Sequence, residues 1–136
     1  MPTAINARCS CGAVTFESSQ APVVQLVCHC EDCRSASGKD YLVLAFFEAQ
    51  HVATTGAVAA QNFVVASGAR AWRESCAACG TLIFDKAETF PTLIGVTTDR
   101  IEAPFTVEPT AHVWTKRRLP HVTVYPGILE FEENFG

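Results

Sequence analysis

The stretch VCHCEDCRSASGKDY, residues 27–41, places Cys28, Cys30 and Cys33 within six residues and follows them with two serines, a glycine and a lysine. Apolar, β-branched runs lie on either side, VVQLV at 23–27 and YLVLAFF at 41–47. Runs of the same kind recur as AVTFE at 13–17, NFVVA at 62–66, TLIFD at 81–85, TLIGVTT at 92–98, AHVWT at 111–115 and HVTVY at 121–125. Their regular spacing between turn residues predicts an all-β fold of short strands. The best helical candidate is EDCRSAS after Cys30, where Glu31 and Asp32 suit the positive end of a helical turn. Pro91, Pro104, Pro109, Pro120 and Pro126 punctuate the second half and favour strand ends and turns over a long helix.

The chain has 136 residues, 49% of them apolar and 18% charged, which predicts one globular domain spanning 1–136. The longest apolar run, Tyr41 to Phe47, is far below the ~20 residues that a bilayer span needs, so no membrane segment is expected. The start, MPTAINARCSC, lacks the basic and apolar stretches of a secretory signal, which points to the reducing cytoplasm and away from disulfides. A net charge of −4, with no basic run longer than Lys116-Arg117-Arg118, disfavours nucleic acid as a partner. No repeat or low-complexity tract divides the chain.

The seven cysteines fall into three tight groups, Cys9-x-Cys11, Cys28-His29-Cys30-x-x-Cys33 and Cys76-x-x-Cys79. Close pairs of this kind suit metal chelation, because one tight turn can aim both sulfurs at an ion about 2.3 Å away. Gly12 and Gly80, each directly after its pair, supply the backbone freedom for such a turn. Seven thiols divide as four plus three. Four thiolates complete a closed tetrahedral zinc site, whereas three leave an exchangeable fourth position, as catalytic zinc does. Spacing alone does not say which four share an ion. The outer pairs could clamp two distant hairpins and leave Cys28, Cys30 and Cys33 as the separate site. Alternatively His29 completes the second set, although side chains on adjacent extended residues diverge.

The ordered motifs RCSCGAV, VCHCEDCRSASG, ESCAACGTLIF and PTAHVWTKRRLP, from about Cys9 to Pro120, resemble the glutathione-dependent formaldehyde-activating enzyme family, also called Gfa-like or CENP-V-like. The resemblance implies the Mss4-like fold, a compact arrangement of antiparallel β-sheets held by zinc. It implies two zinc ions per chain, a structural one on Cys9, Cys11, Cys76 and Cys79 and a catalytic one on Cys28, Cys30 and Cys33. The implied activity is that of a carbon–sulfur lyase acting on a small thiol or thiol–aldehyde adduct, with glutathione and formaldehyde giving S-hydroxymethylglutathione. Where the family often continues HVWTKRRLP with tryptophan, this chain has His121.

Three thiolates on zinc carry net negative charge and weaken its Lewis acidity, so nearby cations would help. Arg34 and Lys39 are the local candidates for contacts to substrate. Ser35, Ser37 and Gly38 follow the triplet and could offer a small anion-binding concavity, or a plain turn. His112 and Trp114 lie two apart on one face of a strand, where they suit either the substrate pocket or a packed tryptophan with a hydrogen-bonded histidine. Trp72 and Phe84 flank the Cys76/Cys79 turn as core around a metal. The rival functions are a non-catalytic, zinc-stabilised interaction or chaperone-like module and a zinc-handling protein.

Overall fold

The structure is a computed structural model that describes residues 4–64 and 68–133; the last two residues of the NFVVA run and the first three of the chain lie outside this range. The described chain forms β1 (Ile5–Arg8), β2 (Thr15–Ser18), β3 (Val24–Cys28), α1 (Glu31–Ser37), β4 (Leu42–Glu48), β5 (Val52–Thr55), β6 (Val58–Val64), β7 (Arg70–Cys76), β8 (Leu82–Ala87), β9 (Leu93–Thr97), β10 (Ala111–Val113) and β11 (Leu129–Glu130). The fold is all-β, as the spacing of apolar runs predicts. No helix among the described residues is long and apolar enough to cross a membrane.

Two sheets carry the chain, a three-stranded one ordered β1-β2-β5 and an eight-stranded one ordered β11-β10-β3-β4-β9-β8-β7-β6. Most neighbours are antiparallel, but β10 runs parallel to both β3 and β11, a mixed pairing that the expectation of purely antiparallel sheets did not include. One face of the large sheet buries Ala45, Phe47, Phe84 and Val96 against Ala7 and Phe16 of the small sheet and Val14 just before β2. The Phe16 and Phe47 rings meet edge to face at 5.0 Å. This is the main core, and its strands alternate inward and outward as period two requires.

The opposite face of the large sheet holds a second cluster around Leu26, Cys28, Cys33, Leu42, Leu44, Ala111 and Val113. Cross-strand register lines up Val24, Phe46, Gly95, Asp85 and Arg73 in one row on this face. Gly95 is required there by close approach: a Cβ would stand 2.8 Å from the Phe46 ring and 2.9 Å from the Asp85 carbonyl oxygen. The Phe46 ring therefore lies across β9 instead of standing beside a neighbour's side chain.

HVTVY differs from its expected strand. It forms no ladder, because it runs between two prolines and the edge beside β10 is taken by β11. In its place, the Tyr125 carbonyl accepts a hydrogen bond from the His112 ring at 3.1 Å.

Candidate metal centres and active site

Cys9 and Cys11 sit in the β1–β2 hairpin, and Cys76 and Cys79 in the β7–β8 hairpin. The two turns have the same construction. The first is closed by Cys9 N–H to Val14 O at 3.1 Å and Gly12 N–H to Cys9 O at 3.1 Å; the second by Cys76 N–H to Thr81 O and Gly80 N–H to Cys76 O, both at 2.9 Å. Each turn ends on a glycine in the left-handed region, Gly12 at φ 78° and Gly80 at φ 75°, which a side chain would disfavour. Backbone N–H groups then point at the sulfurs: Val14 to Cys9 at 3.3 Å, Ala78 to Cys76 at 3.3 Å and Cys79 to Cys76 at 3.4 Å. The Val14 amide lowers the pKa of Cys9, and the Thr81 hydroxyl, with its amide, holds Cys79 at about 5.

The second cluster is built across the junction of β3 and α1. Cys28 ends the strand, Cys30 caps the helix by accepting the Cys33 N–H at 3.2 Å, and Cys33 lies one turn on. Gly38, at φ 70°, terminates the helix by donating its N–H to Arg34 O. The Cys28 sulfur lies 3.3 Å from that of Cys30 and 2.7 Å from that of Cys33. Hydrogen bonds from Cys28 and Cys33 hold the Cys30 thiol down at about 2, while Cys28 and Cys33 are pushed up, chiefly by their sulfur neighbours. Facing one another alone, the three thiols release a proton readily from one only.

The four-cysteine cluster has the spacing of tetrahedral zinc; the three-cysteine cluster, at 3.3 and 2.7 Å, is tighter and fits by the number and kind of its donors, its sulfurs spreading to take an ion. All seven cysteines are unbridged, and the ligand sulfurs of each group lie within 4.8 Å of one another. Tetrahedral zinc with bonds of about 2.3 Å separates its sulfurs by about 3.8 Å. The Cys9–Cys11 and Cys11–Cys76 separations are 3.6 and 3.7 Å. Sulfur-only donors in a cluster of this size suit zinc. His29 belongs to neither group.

The clusters differ in what surrounds them. Cys28, Cys30 and Cys33 line a cavity of about 310 Å³, and the four-cysteine cluster does not. The cavity also contains Arg73, which sequence reasoning missed. Arg73 on β7 is only 7% exposed and donates from Nη2 to the Cys33 sulfur at 3.1 Å. Its guanidinium lies over the Phe63 ring at 4.3 Å. Its Nε is 3.4 Å from Asp85 Oδ2, an ion-pair distance at which the N–H is not aimed at the oxygen, so Nε itself has no hydrogen bond. Burial pushes Asp85 up to about 6, against the lowering effect of Arg73. The available signal was an arginine two residues from Ala71 along one strand face, three residues before Cys76.

The expected substrate contacts separate. Trp114 lines the cavity; Arg34, Ser37, Lys39 and His112 do not. Arg34 Nε donates to His29 O at 3.3 Å, Ser37 donates its hydroxyl to Cys33 O at 2.8 Å, and Lys39 pairs with Asp99. Trp72 is half-buried and Phe84 is core. His121 is exposed and pairs with Asp40 at 2.8 Å. His112 is buried and stacked on His29, ring centroids 5.1 Å apart. Because His112 Nε2 donates to Tyr125 O, its Nδ1 accepts from His29 Nε2 at 2.9 Å. His29 Nδ1 is then left as a buried lone pair without a partner, and burial lowers the His29 pKa to about 4.

An all-β, Mss4-like protein with two cysteine clusters of metal-ligand geometry is the class that this fold and site define. The family model described as glutathione-dependent formaldehyde-activating enzyme matches residues 4–117, and the chain belongs to that family. A crystal structure of a Rhodobacter sphaeroides protein is similar in fold, with a TM-score of 0.56 at 18% identity over 93% of this chain and 98% of that one. No curated protein matches the sequence significantly.

Proposed function

We propose that the protein joins a thiol to formaldehyde, and cleaves the same adduct in reverse, at a zinc held by Cys28, Cys30 and Cys33. A second zinc on Cys9, Cys11, Cys76 and Cys79 is structural. The observation that carries this reading is that the three-cysteine cluster alone of the two opens onto the cavity. Membership of the formaldehyde-activating family supports the thiol and aldehyde as reactants. Seven unbridged cysteines suit a reducing compartment such as the cytoplasm.

When bound, the metal supplies the positive charge that keeps an incoming thiol ionised near neutral pH. The thiolate sulfur attacks the aldehyde carbon, the carbonyl π electrons move to oxygen, and a proton from water completes the hydroxymethyl group. No electrons are gained or lost. Cys28, Cys30 and Cys33 fix where the attacking sulfur sits. Arg73, the buried cation beside Cys33, offsets the charge that a fourth thiolate adds and acts as a positioning residue. Apolar walls exclude bulk water, which strengthens each of these interactions.

The test is the rate of adduct formation from formaldehyde with glutathione and, separately, with 2-phenylethanethiol, each followed as loss of free thiol. Acceleration over buffer with either thiol, abolished by Cys30→Ser, is expected; acceleration with neither overturns the reading.

A further inference from the structure

The cavity beside the three cysteines has a chemistry of its own. Its walls are supplied by Leu26, Leu44, Phe46, Phe63, Leu93 and Trp114, drawn from four strands and the turn after β10. The charged groups inside are already engaged: Arg73 with Asp85 at 3.4 Å and with the Cys33 sulfur at 3.1 Å. Among the described residues, Glu31 and Arg117, both exposed, are the other charged ones that line it. Val64, 67% exposed, continues the apolar wall to the outside.

Glutathione carries two carboxylates and an ammonium. Burying such groups without partners is costly, and one residue of each sign at the mouth cannot match three charges. An apolar body gains from every methylene that it buries along these walls. We propose that the thiol taken by this cavity is an apolar one, an alkyl or arylalkyl thiol or its hydroxymethyl adduct. Its hydrocarbon body packs between Phe46, Phe63 and Trp114, and its sulfur faces Cys28, Cys30 and Cys33. This rests on the thiol–aldehyde reading above and specifies its substrate.

Isothermal titration of the protein with its native metal compares 2-phenylethanethiol with reduced glutathione, and uses 2-phenylethanol as the sulfur-free body. The apolar thiol is expected to bind at least tenfold more tightly than glutathione, with measurable binding of the alcohol. Leu93→Ser, at a half-buried position of the wall, should weaken both phenylethyl ligands at least threefold relative to glutathione; Phe63→Ser, on the edge strand, serves if that variant fails to fold. Equal or tighter binding of glutathione, or phenylethyl affinities unmoved by either substitution, overturns the proposal. The two readings fail separately. Tight phenylethanethiol binding with no acceleration of either thiol's reaction removes the enzyme and supports the pocket, whereas accelerated glutathione turnover with weak phenylethanethiol binding does the reverse.

Discussion

Arg73 stands between two negative partners, the sulfur of Cys33 and the carboxylate of Asp85, with an aromatic face against its guanidinium. Replacing it with glutamine leaves Asp85 buried and unpaired, which for such pairs costs about 3–5 kcal/mol. Arg73→Gln is therefore expected to lower the urea midpoint and to weaken metal at the three-cysteine cluster by at least tenfold. Arg73→Lys should recover part of the affinity, and a shift in the cobalt–thiolate absorption of the substituted protein separates a direct effect on Cys33 from general destabilisation. Asp85 also makes a pH prediction. Burial raises it from 3.8 to about 6, so between these pH values the folded state holds a proton that the unfolded chain has released. Its contribution is most favourable below pH 4 and is lost as pH rises through 6, a change of about 3 kcal/mol. His29, lowered to about 4, acts in the opposite sense as pH falls from 6.5 and is common to both proteins. Stability of Asp85→Asn relative to the parent should thus rise between pH 4 and 6. Parallel urea midpoints across that range would contradict it.

Strands with an apolar alternation are readable in the sequence: β3, β4, β8, β9 and β10 fall within or close to their expected runs. β7 is not, because its sequence, RAWRESC, has no apolar face: Ala71 and Arg73 line the cavity, and on the other side Glu74 is half-buried in an ion pair with Lys86 at 2.8 Å. HVTVY misled for the converse reason, having a strand's pattern of burial without a partner edge. The cysteine groups were legible because ligand spacing is local. The convergence of Arg73 on Cys33, forty residues apart in sequence, was not, since it depends on β7 and α1 meeting over the same face. Gly95 belongs with these hidden features, as its meaning lies in the ring of Phe46 on the next strand. Gly95→Ala is expected to cost about 1–3 kcal/mol through the clash with that ring and the Asp85 carbonyl. Thermal melting checks this, and phenylethanethiol affinity should change as well because Phe46 is part of the cavity wall.

The four-cysteine cluster joins the hairpin of the small sheet to that of the large one, and the three-cysteine cluster does not span the two sheets. On this reading the parent should hold two zinc ions per chain and the triple variant Cys28→Ser, Cys30→Ser, Cys33→Ser should fold with about one, whereas Cys9→Ser with Cys76→Ser should lose cooperative unfolding. Metal analysis and circular dichroism read both outcomes, and loss of folding in the triple variant would reverse the assignment of roles. Cys11 and Cys76 lie 65 positions apart in the chain. A metal bridging them is a removable crosslink that closes almost half of the polypeptide, and closing such a loop covalently restricts an unfolded chain by on the order of 4 kcal/mol. Sheets paired over long separations fold slowly because that closure comes before its reward. Zinc captured early by the two cysteine turns would shorten the search, so refolding from urea should be faster with stoichiometric zinc than with chelator, and the supply of metal during synthesis becomes a determinant of how quickly the chain reaches its native form.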